Sequence, residues 1–90
     1  MTVAVHIPPS LQSLAGDASE VAVAGDTVGA CLGELVRLHP GLRSKLFTAK
    51  GRLLKGINIF VNRANIFPDA LLTPVSDGDI VHVAYTVLGG

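Results

Sequence analysis

One helical repeat of apolar residues, set between segments that alternate apolar and polar residues, limits how this chain can fold. The repeat runs at three- and four-residue steps through Val28, Leu32, Leu35 and Leu38, with Cys31 and Val36 beside the same stripe. Such spacing predicts an amphipathic helix. Asp26 and Thr27 are both competent N-caps, and His39-Pro40-Gly41 is expected to end the helix. Gly29 and Gly33 each weaken it by roughly 1 kcal/mol relative to alanine, so the helix depends on packing.

The alternating segments have the period of two that is typical of half-buried strands. They are Thr2 to Ile7, Glu20 to Ala24, Ile57 to Asn62 and Ile80 to Thr86, and a turn over 62–65 leads to a short segment at Ile66-Phe67. Pro8-Pro9 ends the first strand because proline has no N–H for a ladder. The inward positions are Val3, Val5, Ile7, Val21, Val23, Ile57, Ile59, Val61, Val81, Val83 and Tyr85. The order of elements predicts an α+β layer with one helix group on one face of the sheet.

The connecting segments carry weaker signals. Residues 10–17 are expected to form a loop with one helical turn around Leu11 and Leu14. A further turn over 42–47 would present Leu42, Leu46 and Phe47 to the core. Leu71-Leu72 is expected to be a core-anchored loop, and Ser76-Asp77-Gly78-Asp79 is a turn-forming cluster.

Length and charge argue for one small folded domain and against a nucleic-acid partner. Ninety residues allow a single modest core. Seven Lys and Arg residues balance seven Asp and Glu, whereas nucleic-acid binders usually carry a basic excess on one face. Lys50, Arg52 and Lys55 come nearest to a basic cluster and are interpreted as a solvated loop.

No metal site or catalytic constellation is expected in this chain. Cys31 is the single cysteine, which excludes an intramolecular disulfide, and its place on the apolar stripe predicts a buried, inert thiol. His6, His39 and His82 lack metal-ligand spacing. His39 is expected to favour the negative end of the helix dipole. With no secretory signal and no apolar run of bilayer length, we expect a cytoplasmic protein that does not contact membranes.

The C-terminal Gly89-Gly90 is the most plausible site of chemical reaction in the sequence. It follows the closing strand after only Val87 and Leu88. Glycine lacks Cβ, so two terminal glycines form a thin, flexible rod that can reach a buried active site. The α-carboxyl at its tip is ionised near neutrality. We therefore predict a domain over 1–86 and a flexible tail over 87–90.

Several motifs resemble those of the ubiquitin-like β-grasp sulfur carriers, the group that includes the small subunit of molybdopterin synthase and the thiamine-pathway carrier. They are the opening strand Val3-Ala4-Val5-His6-Ile7-Pro8, the turn Gly25-Asp26-Thr27-Val28-Gly29, the strand Ile57-Asn58-Ile59-Phe60-Val61-Asn62, the turn Ser76-Asp77-Gly78-Asp79-Ile80-Val81, and the terminal Gly89-Gly90. The resemblance covers nearly the whole chain. It implies a mixed sheet of four to five strands, one main helix on one face and a flexible tail.

The same resemblance implies a carrier that is not an enzyme by itself. A ubiquitin-activating-like adenylating enzyme would use ATP and Mg to adenylate the Gly90 carboxylate, and sulfide transfer would leave a thiocarboxylate. Val87, Leu88 and Gly89 would enter the partner's active site, and a sulfur-acceptor enzyme would take the sulfur. The chain itself would bind no cofactor and would be a monomer when free.

An outward patch at the root of the tail is the expected docking surface for these partners. Phe60 faces away from Ile57 and Ile59, and His82 and Ala84 occupy the outward face of the adjacent final strand. A large apolar side chain exposed within an apolar patch is uncommon and indicates a site of interaction with another protein.

Two other classes of function remain open on the sequence. One is a protein modifier joined to lysines through Gly90, and the other is a β-grasp interaction module whose terminal glycines are incidental. The pathway, the sulfur source, the final acceptor and any trimming that exposes Gly90 are not encoded in these residues.

Overall fold

The computed structural model describes residues 2–54, 56–66 and 70–85, which form one mixed sheet with a helix across one face. The strands are β1 (Val3–His6), β2 (Glu20–Val23), β3 (Ile57–Val61), β4 (Ala64–Asn65) and β5 (Ile80–Tyr85). Their order in the sheet is β2-β1-β5-β3-β4. β1 and β5 pair in parallel, and the other neighbouring strands pair antiparallel. The predicted α+β layer is confirmed.

The main helix, α1 (Val28–Leu38), begins where its sequence signal places it. Thr27 is the N-cap, and its Oγ1 accepts a hydrogen bond of 3.1 Å from the backbone N–H of Ala30. The helix ends before His39-Pro40. A four-residue helix, α2 (Arg43–Leu46), and 3-10 helices at Pro9–Ala15, Pro40–Leu42 and Ala70–Leu72 complete the helical elements of the described residues.

The core lies between α1 and the inner face of the sheet. The buried residues that meet there come from every strand except β4 and from both α-helices: Val3, Val5, Val23, Ile57, Ile59, Val81 and Val83 from the sheet, and Val28, Cys31, Leu32, Leu35 and Leu46 from the helices. Leu11, Ala15 and Leu42 close the core from the 3-10 helices. Burial of this apolar surface is the main favourable term in folding.

Two leucines predicted to face the core are exposed. Leu38 is 44% exposed, because it is the last residue of α1 and lies about 80° around the helix from Val28 at 3.6 residues per turn. Leu72 is 77% exposed, whereas its neighbour Leu71 packs against the core. Only the first of the two leucines therefore anchors this loop.

The connections also differ from the sequence prediction in two places. Residues 9–15 form a 3-10 helix of seven residues rather than a loop with one turn. β4 begins at Ala64, before the predicted segment Ile66-Phe67, because Asn62 and Arg63 alone make the turn. Their φ angles of 49° and 79° are both positive, as a two-residue type I′ hairpin requires. Phe67 lies outside the described residues.

Gly29 is required by the packing of α1. A Cβ at this position would lie 2.8 Å from the carbonyl oxygen of Leu71, whereas a Cβ at Gly33 would meet no atom within 4 Å. The backbone of the 70–72 turn therefore approaches α1 so closely that only glycine fits at position 29 without a shift of the backbone. Gly29 thus allows close packing of the turn on α1, whereas Gly33 only lowers the stability of the helix.

Candidate functional site

β5, the last described strand, lies in the middle of the sheet. It is a central strand, hydrogen-bonded on one side to β1 and on the other to β3. Val81 and Val83 anchor it in the core. Tyr85, its last residue, pairs with Ile57, the first residue of β3. The predicted tail residues Val87, Leu88, Gly89 and Gly90 lie outside the described residues.

The three predicted docking residues lie on one surface. Phe60 is the register partner of His82, and Asn58 is the partner of Ala84. Since Ile59 and Val83 face the core, their neighbours along the strands face away from α1. Phe60, His82 and Ala84 are each half-buried. We call the face of the sheet opposite α1 the open face.

His6 extends this surface, and the sequence did not predict that contact. It is the register partner of His82 across β1 and β5, and the two imidazole ring centroids are 4.5 Å apart in an edge-to-face arrangement. Nε2 of His6 lies 2.8 Å from Oε1 of Glu20 on β2. A row of Glu20, His6, His82 and Phe60 therefore crosses four strands. The alternation in β1 predicts that His6 points outward, but its neighbour is set by the parallel pairing of β1 with β5.

A polar cluster fixes the start of β5. Oδ1 of Asn62 accepts from the backbone N–H of Ile80 at 3.0 Å, and Nδ2 of Asn62 donates to Oδ1 of Asp79 at 3.0 Å. Oδ2 of Asp79 accepts from the backbone N–H of Ser76 at 2.8 Å. These bonds, first the one from Ser76 and then the one from Asn62, lower the pKa of the Asp79 carboxyl below its usual value. The asparagine and the Asp-Gly-Asp turn are thus structural partners that position β5.

Cys31 has the environment of an inert thiol, as predicted. Its side chain is fully buried, and a Cβ at Gly25 would lie 2.9 Å from its Sγ. Burial, and secondly the carboxylate of Asp26, raise the pKa of the thiol. A raised pKa disfavours the reactive thiolate. Across residues 2–54, 56–66 and 70–85, no group of three or more His, Cys, Asp or Glu side chains is arranged to hold a metal ion.

Within the same residues, no helix is both long and apolar enough to cross a membrane.

Comparison with known proteins identifies the class. No family model matches the chain. The chain is 34% identical to the sulfur carrier protein CysO of Mycobacterium tuberculosis over 93 aligned positions, which cover 100% of both proteins. Its structure superposes on a chain of the Amycolatopsis orientalis BexX/CysO complex with a TM-score of 0.87 and 30% identity, over 98% of this chain and 99% of that one.

An archaeal protein is equally similar. SAMP1 from Haloferax volcanii superposes with a TM-score of 0.87 and 31% identity over 100% of both chains. The fold is therefore the ubiquitin-like β-grasp, as the sequence motifs implied. The chain belongs to the ubiquitin-like sulfur carrier family.

Proposed function

We propose that this chain carries sulfur as a thiocarboxylate on Gly90, after a partner enzyme has adenylated that residue. The observation that carries the proposal is the similarity to CysO of Mycobacterium tuberculosis along the full length of both proteins. The sequence supports it independently, because two glycines follow the central strand of the sheet after only a few residues.

The proposed chemistry proceeds in two displacements. An oxygen of the Gly90 carboxylate attacks the α-phosphorus of ATP, and pyrophosphate leaves. The resulting acyl adenylate is then attacked at its carbonyl carbon by sulfide or a persulfide sulfur, and AMP leaves. With hydrosulfide the product is the thiocarboxylate directly; with a persulfide, a thiol must also reduce the S–S bond. Adenylation is needed because a carboxylate oxygen is a poor leaving group and AMP is a good one.

We further propose that the domain over 1–86 stays outside the partner while the tail over 87–90 enters its active site. Val87, Leu88 and Gly89 would line the entry channel, and Gly89 keeps the chain slender. Phe60, His82 and Ala84 would dock on the partner. Ala84 supports this assignment because it lies three residues before Val87, so that docking at the patch brings the tail to the partner.

The proposed partners are a ubiquitin-activating-like adenylating enzyme, which would bind ATP and Mg, and a sulfur-acceptor enzyme. These enzymes would act on this chain, which would be a monomeric protein substrate in the cytoplasm and would bind no cofactor of its own. In support of a protein partner, the similar CysO of Amycolatopsis orientalis has been crystallised in complex with BexX.

A second candidate is a protein modifier attached to lysines through Gly90. The similarity to SAMP1 favours it, because a solved Haloferax volcanii structure with 30% identity is named small archaeal modifier protein 1. Both candidates share adenylation and differ in the group that attacks the adenylate.

Intact-mass spectrometry distinguishes the candidates. The full chain is incubated with the adenylating enzyme encoded in the same genome, with Mg·ATP and with sodium sulfide. A gain of about 16 Da, from sulfur replacing one oxygen of the terminal carboxyl group, supports the carrier. In a cell lysate, new bands in which Gly90 is linked to lysines would support the modifier. An adenylating enzyme that modifies another carrier but leaves this chain unchanged would contradict both.

A further inference from the structure

The basic residues of this chain are confined to one stretch of sequence. All seven Lys and Arg residues lie within residues 37–63, a stretch that contains no Asp or Glu, although the formal net charge of the whole chain is zero. The acidic residues lie entirely before and after it. This separation of charge, rather than the net charge, is the property that can orient a protein in an encounter.

The fold joins part of that stretch to the sheet near the end of β5. Residues 43–54 lead into β3, whose first residue, Ile57, pairs with Tyr85. The backbone N–H of Ile57 donates to the carbonyl oxygen of Leu54 at 3.2 Å. Three residues span at most about 11 Å, so this segment joins the sheet close to the point where β5 ends.

A compact hairpin presents two of the cations. Oγ1 of Thr48 accepts from the backbone N–H groups of Lys50 and Arg52, and the N–H of Thr48 donates to the carbonyl oxygen of Arg52 at 2.6 Å. Gly51, with φ of 81°, makes the turn. Phe47 and Leu53 form an antiparallel bridge at its base. Lys50 and Arg52 are therefore exposed on an ordered turn.

Two more cations lie next to this hairpin. Arg43 and Lys45 are exposed on α2. We call Arg43, Lys45, Lys50 and Arg52 the basic surface. In the part of the chain that the structure describes, the ion pairs are Glu20 with His6 and Glu34 with Arg37, so no carboxylate neutralises these four groups. A shallow groove includes Arg43 and is lined by Pro40, Arg43, Ser44, Phe47, Thr48 and Ala49.

The opposite end of β5 is acidic. Asp77 accepts from the backbone N–H of Thr2, Asp79 precedes β5, and Asp26 follows the end of β2 that pairs with the start of β1. Arg63, in the turn after β3, is the basic residue at that end. These three carboxylates thus lie near the start of β5, whereas the segment that carries the basic surface joins the sheet near the end of β5.

We infer that the basic surface steers this carrier, tail first, onto an acidic surface of a partner protein. The inference rests on the proposed function for the claim that the tail enters a partner. An acidic protein surface fits better than a nucleic acid, because an extended polyanion would also meet the acidic residues elsewhere on a chain of zero net charge. The half-buried ring of Phe47 in the groove offers an apolar contact that such a protein surface can use.

The test is the association rate with the adenylating enzyme, measured by stopped-flow fluorescence without ATP over a range of ionic strengths. Wild-type association should slow steeply as salt screens the charges. The double variant Lys50→Gln/Arg52→Gln should associate about three- to tenfold more slowly at low salt and depend less on salt, since electrostatic steering raises association rates by roughly 10- to 1,000-fold. Dissociation rates should change little.

A matched pair of single variants locates the effect. Arg52→Gln and Arg63→Gln remove the same charge from exposed arginines at opposite ends of the sheet. Arg52→Gln should slow association, and Arg63→Gln should leave it unchanged or slightly faster. Equal effects of the two, or a wild-type rate independent of salt, would overturn the inference. So would a labelled single-stranded oligonucleotide that binds the basic surface and displaces the enzyme.

The two proposals can fail separately. Association is measured without ATP, and adenylation is measured by pyrophosphate release in the same preparations. Salt-dependent association without pyrophosphate release would support the basic surface and contradict the adenylation of Gly90. Pyrophosphate release with salt-independent association would support the adenylation of Gly90 and contradict the role of the basic surface.

Discussion

The two faces of the sheet differ in what their residues do. The inner face consists of valines and isoleucines, most of them less than 10% exposed, packed against α1. The open face carries His6, Phe60, His82 and Ala84, all half-buried and none in the hydrophobic core. Neighbouring residues on one strand therefore have different roles: one specifies the fold, and the other is available for binding.

Adjacent residues of β3 give the largest contrast. Ile59 is 2% exposed on the inner face, and Phe60 lies beside it on the open face. Ile59→Ala should cost about 2–5 kcal/mol of unfolding free energy, because it leaves a cavity in the core. Phe60→Ala removes more carbon atoms and should nevertheless cost less than Ile59→Ala. Urea denaturation measures both, and a larger loss for Phe60→Ala would mean that the open face is part of the core.

The two glycines of α1 extend the contrast to the helix. Gly29→Ala forces a Cβ to within 2.8 Å of a carbonyl oxygen, and overpacking of this kind costs about 1–3 kcal/mol. Gly33→Ala meets open space and should stabilise the protein by about 0.5–1 kcal/mol, because alanine is the better helix former. Thermal unfolding monitored by circular dichroism provides the measurement. Equal shifts of the two melting temperatures would contradict the close approach of the 70–72 turn.

Binding should show the opposite pattern from stability. Phe60→Asp places a charge on the proposed docking patch and should weaken binding to the adenylating enzyme by about tenfold or more, as loss of a central aromatic contact does in other interfaces. Asn58→Asp, which adds the same charge two residues earlier on β3 and on the same face, tests whether the aromatic ring itself matters. Surface plasmon resonance gives the affinities. Unfolding of Phe60→Asp, or wild-type binding by it, would contradict the patch.

The smallest expected effect concerns Asp79. Because its hydrogen bonds lower the pKa of the folded carboxyl, the ionised form stabilises the native state at neutral pH. That contribution is full above the ordinary carboxyl range near pH 4 and is lost as pH falls through the lower folded pKa. Asp79→Asn should therefore flatten the loss of stability between about pH 5 and pH 2. Denaturation curves with the same pH dependence in both proteins would contradict this role.

The sequence predicted the helices and strands of the fold better than it predicted the contacts between them. The alternation in β1, β3 and β5 and the Thr27 cap are local signals, and the structure confirms them. The contact of His6 with His82 depends on the parallel pairing of β1 with β5, which periodicity does not specify. The exposure of Leu38 depends on where α1 ends relative to the sheet.

The candidate sites show the same division. Period-two alternation was sufficient to put Phe60, His82 and Ala84 on one face. On the sequence, Lys50 and Arg52 are interpreted as part of a solvated loop, although they belong to a stretch of basic residues without any acidic one. The interpretation as a steering surface depends on where this segment joins the sheet, next to the pairing of Ile57 with Tyr85, which only the fold provides.

Removal of Gly90 tests the central claim most directly. The truncated chain and the full chain are compared for pyrophosphate release by the adenylating enzyme and for melting temperature. If Gly90 supplies the reactive carboxylate and the tail packs against nothing, the truncated chain should release no pyrophosphate above background and should melt at nearly the same temperature. Undiminished pyrophosphate release by the truncated chain would show that the reactive group lies elsewhere, and a large fall in melting temperature would show that the tail is part of the fold.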